Sequence, residues 1–286
     1  MKSRLKSATI LVSGTLGFGL MFGSAMAADI AQECTPAVSG LNGKLEGAGG
    51  YIEERDDDGL RFQGVGTLDL PLGCLFGFQL DVGAGSLVDD AWAGVGGHLF
   101  MRDPSSYLFG LQAQYVNFDG EDIFRVGPEA EFYFDNLTLS MMAGWEAADE
   151  FDSDDIVAQL EAAYYVDDNF KIFAGYRHFI GVDAAAVGFE YKPETLPVSF
   201  FVDAMFGTDD YLSVMGGLRI AFGGETKSLK DTHRYDDPGH YFNLLRSPSA
   251  GNGKGCVPRV SDGDLADSTS DGTSVDYCDP PTKGEL

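Results

Sequence analysis

The residues best suited to chemistry are ionisable side chains that recur at every second place. Lys44, Glu46, Arg61, Asp69, Asp81, Arg102, Arg125, Glu129, Glu131, Glu146, Glu161, Lys171, Arg177, Glu190, Asp203 and Arg219 share one parity of a series of alternating segments. Gln63, Gln79, Gln112, Gln114 and Gln159 join them. Seven of the charged residues are basic and nine acidic. So even a mixture suits a confined, partly desolvated interior, where opposite charges must pair. Such residues can line a selective pore, or interlock into a salt-bridge plug that closes it.

Other candidate chemistry is weaker. His98 lies on the same parity and His178 beside a loop, but neither has a Ser, Cys or Asp partner at a telling spacing. No catalytic residue is assigned, and an enzyme is not expected. Asp56, Asp57, Asp58, Asp152, Asp154 and Asp155 supply the hard oxygens that calcium and magnesium prefer, and divalent ions there could bridge to lipopolysaccharide. Solvated loop tips are the simpler account. There is no Cys-x-x-Cys, no zinc-spaced histidine pair, and in SDGDLADSTSDG (261–272) no EF-hand ligand order. Neither metal nor cofactor is expected.

The elements that must position these charges read as strands. Apolar residues recur at period two over 41–54, 60–70, 75–86, 92–102, 107–118, 123–134, 137–147, 156–166, 170–180, 184–192, 197–206 and 211–222. Mid-segment, the apolar parity holds no Lys, Arg, Asp or Glu. The breaks alternate in character: acidic stretches such as RDDDG (55–59) and ADEFDSDD (148–155) take turns with tight ones such as PLGC (71–74) and DN (135–136). Successive breaks of an antiparallel meander lie at opposite ends, so two unlike ends are its signature. Pro128, inside a segment, predicts a local bulge.

Aromatics on the apolar parity gather at both ends. Phe76, Tyr107, Phe132, Phe134, Tyr164, Phe170, Tyr191 and Phe222 stand by the tight turns; Tyr51, Phe62, Tyr115, Phe124, Trp145, Tyr176 and Phe206 stand by the acidic loops. Two such rings, with smaller aliphatics between, form the girdles of a bilayer-spanning barrel. Ten or eleven tilted residues cross its roughly 25 Å apolar band. Lipid forbids an open sheet edge, so the sheet closes. The expected fold is all-β: a closed antiparallel up-and-down transmembrane β-barrel of about 12 strands with a polar C-terminal tail. Phe100, Tyr133, Phe173, Phe179 and Phe201 on the lumen parity favour a tight interior.

Around the barrel, residues 1–27 read as a signal peptide: Lys2, Arg4 and Lys6, an apolar stretch, then Ala25-Met26-Ala27 as the cleavage site. Residues 28–40 form a periplasmic N-terminal segment, 41–222 the barrel, and 223–286 a tail. The chain carries a net charge of −26, or −29 once the three leader cations are removed (−26 minus 3), which argues against a nucleic-acid partner. An even strand count returns both ends to one side, so the tail is expected in the periplasm, largely disordered. PGHYFNLLR (238–246) is a short apolar knot within it that could dock on the barrel mouth, and the tail could meet a periplasmic partner. Cysteines in an exported chain read as disulfides. Cys34 precedes the first strand and Cys74 sits in the turn after the second; Cys34–Cys74 and Cys256–Cys278 are the expected pairs among three possible pairings.

The signal peptide, the twelve segments of 41–222 and the run Gly216-Gly217-Leu218-Arg219-Ile220-Ala221-Phe222 together resemble Gram-negative outer-membrane β-barrel proteins, broadly the porin-like group. The last run is similar to the terminal strand signal read by the barrel-assembly machinery, although 64 residues follow it (286 minus 222). The resemblance implies an outer-membrane location, outer-membrane lipid and lipopolysaccharide as surroundings, and the assembly machinery as a partner during insertion. It names no substrate. The expected function is a narrow channel or porin for small solutes with a charged lumen. The alternative is a closed structural or surface-interaction barrel acting through its loops or tail, with an outer-membrane enzyme third.

Overall fold

The computed structural model describes residues 35–55, 57–148, 153–223 and 227–246. The leader (1–27), the loop aspartates Asp56 and Asp152, Cys34, Cys256 and Cys278 lie outside the described residues. Every alternating segment is a strand: β1 (Asn42–Glu54), β2 (Asp57–Leu72), β3 (Phe76–Leu87), β4 (Asp90–Asp103), β5 (Tyr107–Phe118), β6 (Glu121–Phe134), β7 (Leu137–Ala148), β8 (Ser153–Asp167), β9 (Phe170–Phe179), β10 (Val182–Tyr191), β11 (Val198–Gly207) and β12 (Leu212–Phe222). Each pairs antiparallel with its neighbours in the chain, and β1 pairs with β12 from Gly43↔Phe222 to Glu53↔Leu212, so the sheet has no edge. This is the closed up-and-down transmembrane barrel that the alternation implies.

Pro128 does not produce a bulge. It stays opposite Leu111 of β5, while pairing with β7 lapses between Val126 and Glu129 and resumes in the same register. The register shift lies instead in β8, between Tyr165 and Asp167.

The outer face is a belt of exposed aliphatics, among them Leu45, Val82, Leu111, Leu160 and Val187, bounded by aromatics at both ends. At the tight-turn end Phe170 packs edge-on to Tyr191 at 6.4 Å; at the long-loop end Phe124 meets Trp145 at 6.0 Å. Three long-loop hairpins repeat one device. Tyr51, Tyr115 and Tyr176 each donate their phenolic hydroxyl to an aspartate seven residues on: Asp58 at 3.0 Å, Asp122 at 2.6 Å, and Asp183. An amphipathic ring with its hydroxyl turned to the loop marks where the apolar belt stops.

The inside is not a simple polar tube. At the long-loop end the inward parity turns apolar, and Ile52, Leu87, Trp92, Val116, Phe118, Ile123, Phe179, Val182 and Met205 are buried there. They pack on Phe242, Leu244 and Leu245, which belong to the chain after the barrel. This corrects the expectation of a tail lying beyond the barrel: residues 227–246 fill the lumen. They begin as helix α1 (Leu229–Tyr235) at the tight-turn end, with Ser228 capping the first turn by accepting from the Asp231 amide at 3.1 Å. The Lys230 amide donates to the Asp168 carbonyl, and the Leu229 amide to the Asn169 side chain, both in the β8–β9 turn. Beyond Pro238 the segment runs irregularly, with a turn at Phe242–Asn243 closed by the Leu244 amide on the Tyr241 carbonyl at 3.2 Å, to Arg246, which meets the long loops. Gly83 and Gly94 leave the room for Phe242; a Cβ on Gly94 would come within 2.8 Å of its ring and 2.8 Å of the Tyr115 carbonyl.

Residues 35–41 enter the same tight-turn mouth. The Ala37 amide donates to the Cys74 carbonyl at 2.7 Å, and Ala37 and Val38 pack on Phe100, Leu108 and Tyr133. Cys74 is not a free thiol; each expected pairing, Cys34–Cys74 and Cys256–Cys278, includes residues outside the described ones.

Two substitutions separate the faces. Leu160→Arg places a cation at the middle of the belt and should cost about 2–4 kcal/mol of unfolding free energy in lipid. Phe242→Ala empties a buried site stacked on Trp92 at 5.7 Å and should cost about 3–5 kcal/mol. Urea titrations of both variants reconstituted in liposomes check these values, and a neutral Leu160→Arg would contradict the assignment of the outer face.

Candidate functional site

The inward parity gathers the charged residues into connected clusters. Near the middle of the barrel Arg219 bridges Glu46 at 2.8 Å and Glu190 at 2.5 Å, and its guanidinium lies 4.0 Å over the Phe201 ring. Gln63 donates to Glu46, Ser199 to Glu190, and Lys171 stands 3.6 Å from Glu190. Arg177 forms a two-pronged pair with Asp203, both contacts 2.8 Å, with Glu161 at 3.6 Å. Such forked pairs are the geometry that makes a buried guanidinium tolerable. Arg61 donates to the Ser213 hydroxyl at 2.7 Å, and Glu131 accepts from Tyr133 at 2.8 Å. Neither carboxylate oxygen of buried Asp69 meets a donor among the described residues.

Other inward residues are partnered by the threaded segment. Arg102, buried, gives its guanidinium to four backbone carbonyls: Ala37 at 2.8 Å, His233 at 3.3 Å, Arg234 at 3.0 Å and Asp236 at 3.1 Å. Arg125 pairs with Glu146 at 2.5 Å and donates to the Leu244 carbonyl at 2.7 Å. Lys44 pairs with Asp237. Glu129 accepts from Tyr241 at 3.2 Å and Glu46 meets His240 at 3.2 Å. His98 lies between two carboxylates, Asp81 at 3.2 Å and Glu129 at 2.9 Å, under the Tyr241 ring at 5.6 Å. His178 belongs elsewhere, on the outer side by the long loops, with Asp183 at 2.8 Å.

Among the described residues, two cavities bear on the lumen. One, of about 140 Å³, lies within the barrel between Glu46, Glu161, Arg177, Asp203, Arg219 and the threaded segment. The other, of about 100 Å³, opens at the tight-turn mouth among Asn42, Lys192, Lys227 and Thr232. Lys44 and Asp237 line both, so this ion pair is part of the wall that the two cavities share. Towards the long loops the apolar cap of Trp92, Phe118, Phe179, Phe242 and Leu245 closes the inner cavity. Each volume would hold a few waters.

Asp237 and His240 carry no sequence motif, and nothing local marks them as lumen residues. The available signal was on the barrel itself. Ile52, Trp92, Phe118, Ile123 and Phe179 occupy the parity that elsewhere carries charge, and a water-filled pore does not explain them.

No protein-family model and no curated protein matches the chain. Solved structures do. A KdgM porin, solved in complex with disordered oligogalacturonate, is similar at 9% identity over 63% of this chain and 99% of that one, with a TM-score of 0.50. Omp33 of Acinetobacter baumannii is similar at 13% identity over 64% and 100%, TM-score 0.42. Outer membrane phospholipase A of Escherichia coli is similar at 12% identity over 66% and 98%, TM-score 0.44. The last finding corrects one expectation: an enzyme stands among the similar structures, so the exclusion of an enzyme does not hold. What the chain shares with the KdgM porin is the fold of an outer-membrane β-barrel.

Proposed function

We propose that the protein is a narrow outer-membrane channel for small solutes, with a charged lumen that its own residues 227–246 hold closed. One observation carries this reading. A polar cavity lies within the barrel, and the Lys44–Asp237 ion pair lines both it and the cavity at the open mouth. A barrel that served only as a scaffold gains nothing from an internal polar chamber so close to the mouth. Both signs of charge face the cavity, with Arg177 and Arg219 opposite Glu46, Glu161 and Asp203, which suits a small polar or zwitterionic solute better than a large anion. The girdled outer belt and the fold shared with outer-membrane barrels support the location.

A second reading, a closed barrel acting through its loops or tail, is favoured by the apolar cap, which seals the long-loop end. Planar-bilayer recording separates the two. The full chain should show rare, small conductance steps. Conduction needs both ends open, so Lys44→Gln and Asp237→Asn, which remove the charges of the ionic closure while keeping its shape, are combined with Phe242→Ala in the apolar cap; the triple variant should raise open probability at least about tenfold, equivalent to about 1.4 kcal/mol. A correctly folded triple variant that stays silent at all voltages would leave only the closed-barrel reading.

A further inference from the structure

The direction of the threaded segment has a topological consequence. The barrel ends at Phe222, paired with Gly43 at the tight-turn end. The chain then turns inward, docks α1 on the β8–β9 turn, passes Lys44 and Glu46 at Asp237 and His240, and reaches the opposite end. There Tyr211 donates to the Leu245 carbonyl at 3.0 Å. Arg246 donates to the Ile180 carbonyl at 2.7 Å and pairs with Glu54, with Asp209 at 3.9 Å. Ile180, Glu54 and Asp209 all belong to long-loop hairpins. The last described residue is therefore fastened at the mouth opposite the one where the barrel's own strands begin and end. At least 40 residues follow it (286 minus 246). The room left in the lumen beside the segment, an inner cavity of about 140 Å³, is too small for a second extended chain.

We infer that the protein threads its own C-terminal segment through its barrel, so that the chain from residue 247 onward is delivered to the long-loop side, the cell surface. The inference rests on the outer-membrane reading, in which short turns face the periplasm and long loops the exterior. It reverses the side expected from strand number alone, because an even count fixes where Phe222 lies and says nothing of a chain that re-enters the lumen. The delivered stretch is acidic and polar, with Asp262, Asp264, Asp267 and Asp271 close together and Cys256 and Cys278 among its residues. Its surroundings are thus the oxidising exterior, and what it meets there are extracellular molecules and not periplasmic ones.

The test uses the full chain in intact cells, with one epitope after Leu286 and, in a second strain, the same epitope in the β7–β8 loop. Both should be reached by antibody on intact cells, with less than a twofold gain after the outer membrane is permeabilised. Proteinase K added to intact cells should also shorten the untagged chain from its C-terminus, read by mass. A loop epitope reached on intact cells, with the C-terminal one reached only after permeabilisation, would overturn the inference and leave the membrane reading standing. If neither epitope is reached and the protein stays out of the membrane fraction, both fall together.

Discussion

A charge placed inside a hydrocarbon-jacketed cylinder must find its partner inside that cylinder, and the rest of this structure follows from that constraint. Twelve strands enclose more room than their own inward side chains fill. Some inward cations are satisfied across the lumen by carboxylates, as Arg177 is by Asp203 and Arg219 by Glu46 and Glu190. Arg102 is satisfied differently, by backbone carbonyls that include three of the threaded segment, and Arg125 adds the Leu244 carbonyl to its Glu146 partner. Charge-assisted bonds to carbonyls are worth about 1.5–3 kcal/mol each. They hold the segment while leaving its side chains free to meet other parts of the wall.

The barrel was legible in the sequence because its signal is physical and repeated. Lipid on one face and charge on the other impose period two on every strand, so even 57–72 and 153–167, longer than the alternation alone marks, are found from their middles. The girdles were legible for the same reason. The threaded segment was not, because an irregular stretch that adds no strand to the sheet has no period to show. PGHYFNLLR has a usable apolar content, and its docking at the barrel was within reach, but its depth was not. The wall carries that information. Gly83 and Gly94 on the inward parity beside Trp92 form a recess that no neighbouring strand residue fills, and Phe242 fills it.

The two ends of the lumen are closed by different physics. At the tight-turn mouth the closure is ionic: Lys44 with Asp237, Lys227 with Asp236 and Ser39, Lys230 with Asp168 at 2.6 Å. Ionic closures weaken with salt and open without a large change in apolar area. At the long-loop end the closure is apolar, and displacing Phe242, Leu244 and Leu245 would expose three large buried side chains at roughly 1.5–3 kcal/mol each. Opening is therefore cheaper at the first mouth than at the second, and the segment is held more firmly at its long-loop end.

The costly end also stores strain. Ile180, β-branched and buried, holds φ at 46°, a left-handed conformation that such residues rarely adopt and that costs on the order of 1–3 kcal/mol. Both of its peptide groups are tied down: its amide donates to Glu146 at 2.5 Å and its carbonyl accepts from Arg246 at 2.7 Å. Glu146 in turn holds Arg125, which holds Leu244. The strained turn, the wall and the end of the threaded segment are thus joined by one series of hydrogen bonds, in which Arg246 supplies one of the two ties on the turn. Pulling the segment out would loosen the turn as well as remove the plug. The cost of withdrawing the segment is therefore not only its apolar burial but also the loss of one of the two ties that hold the Ile180 turn.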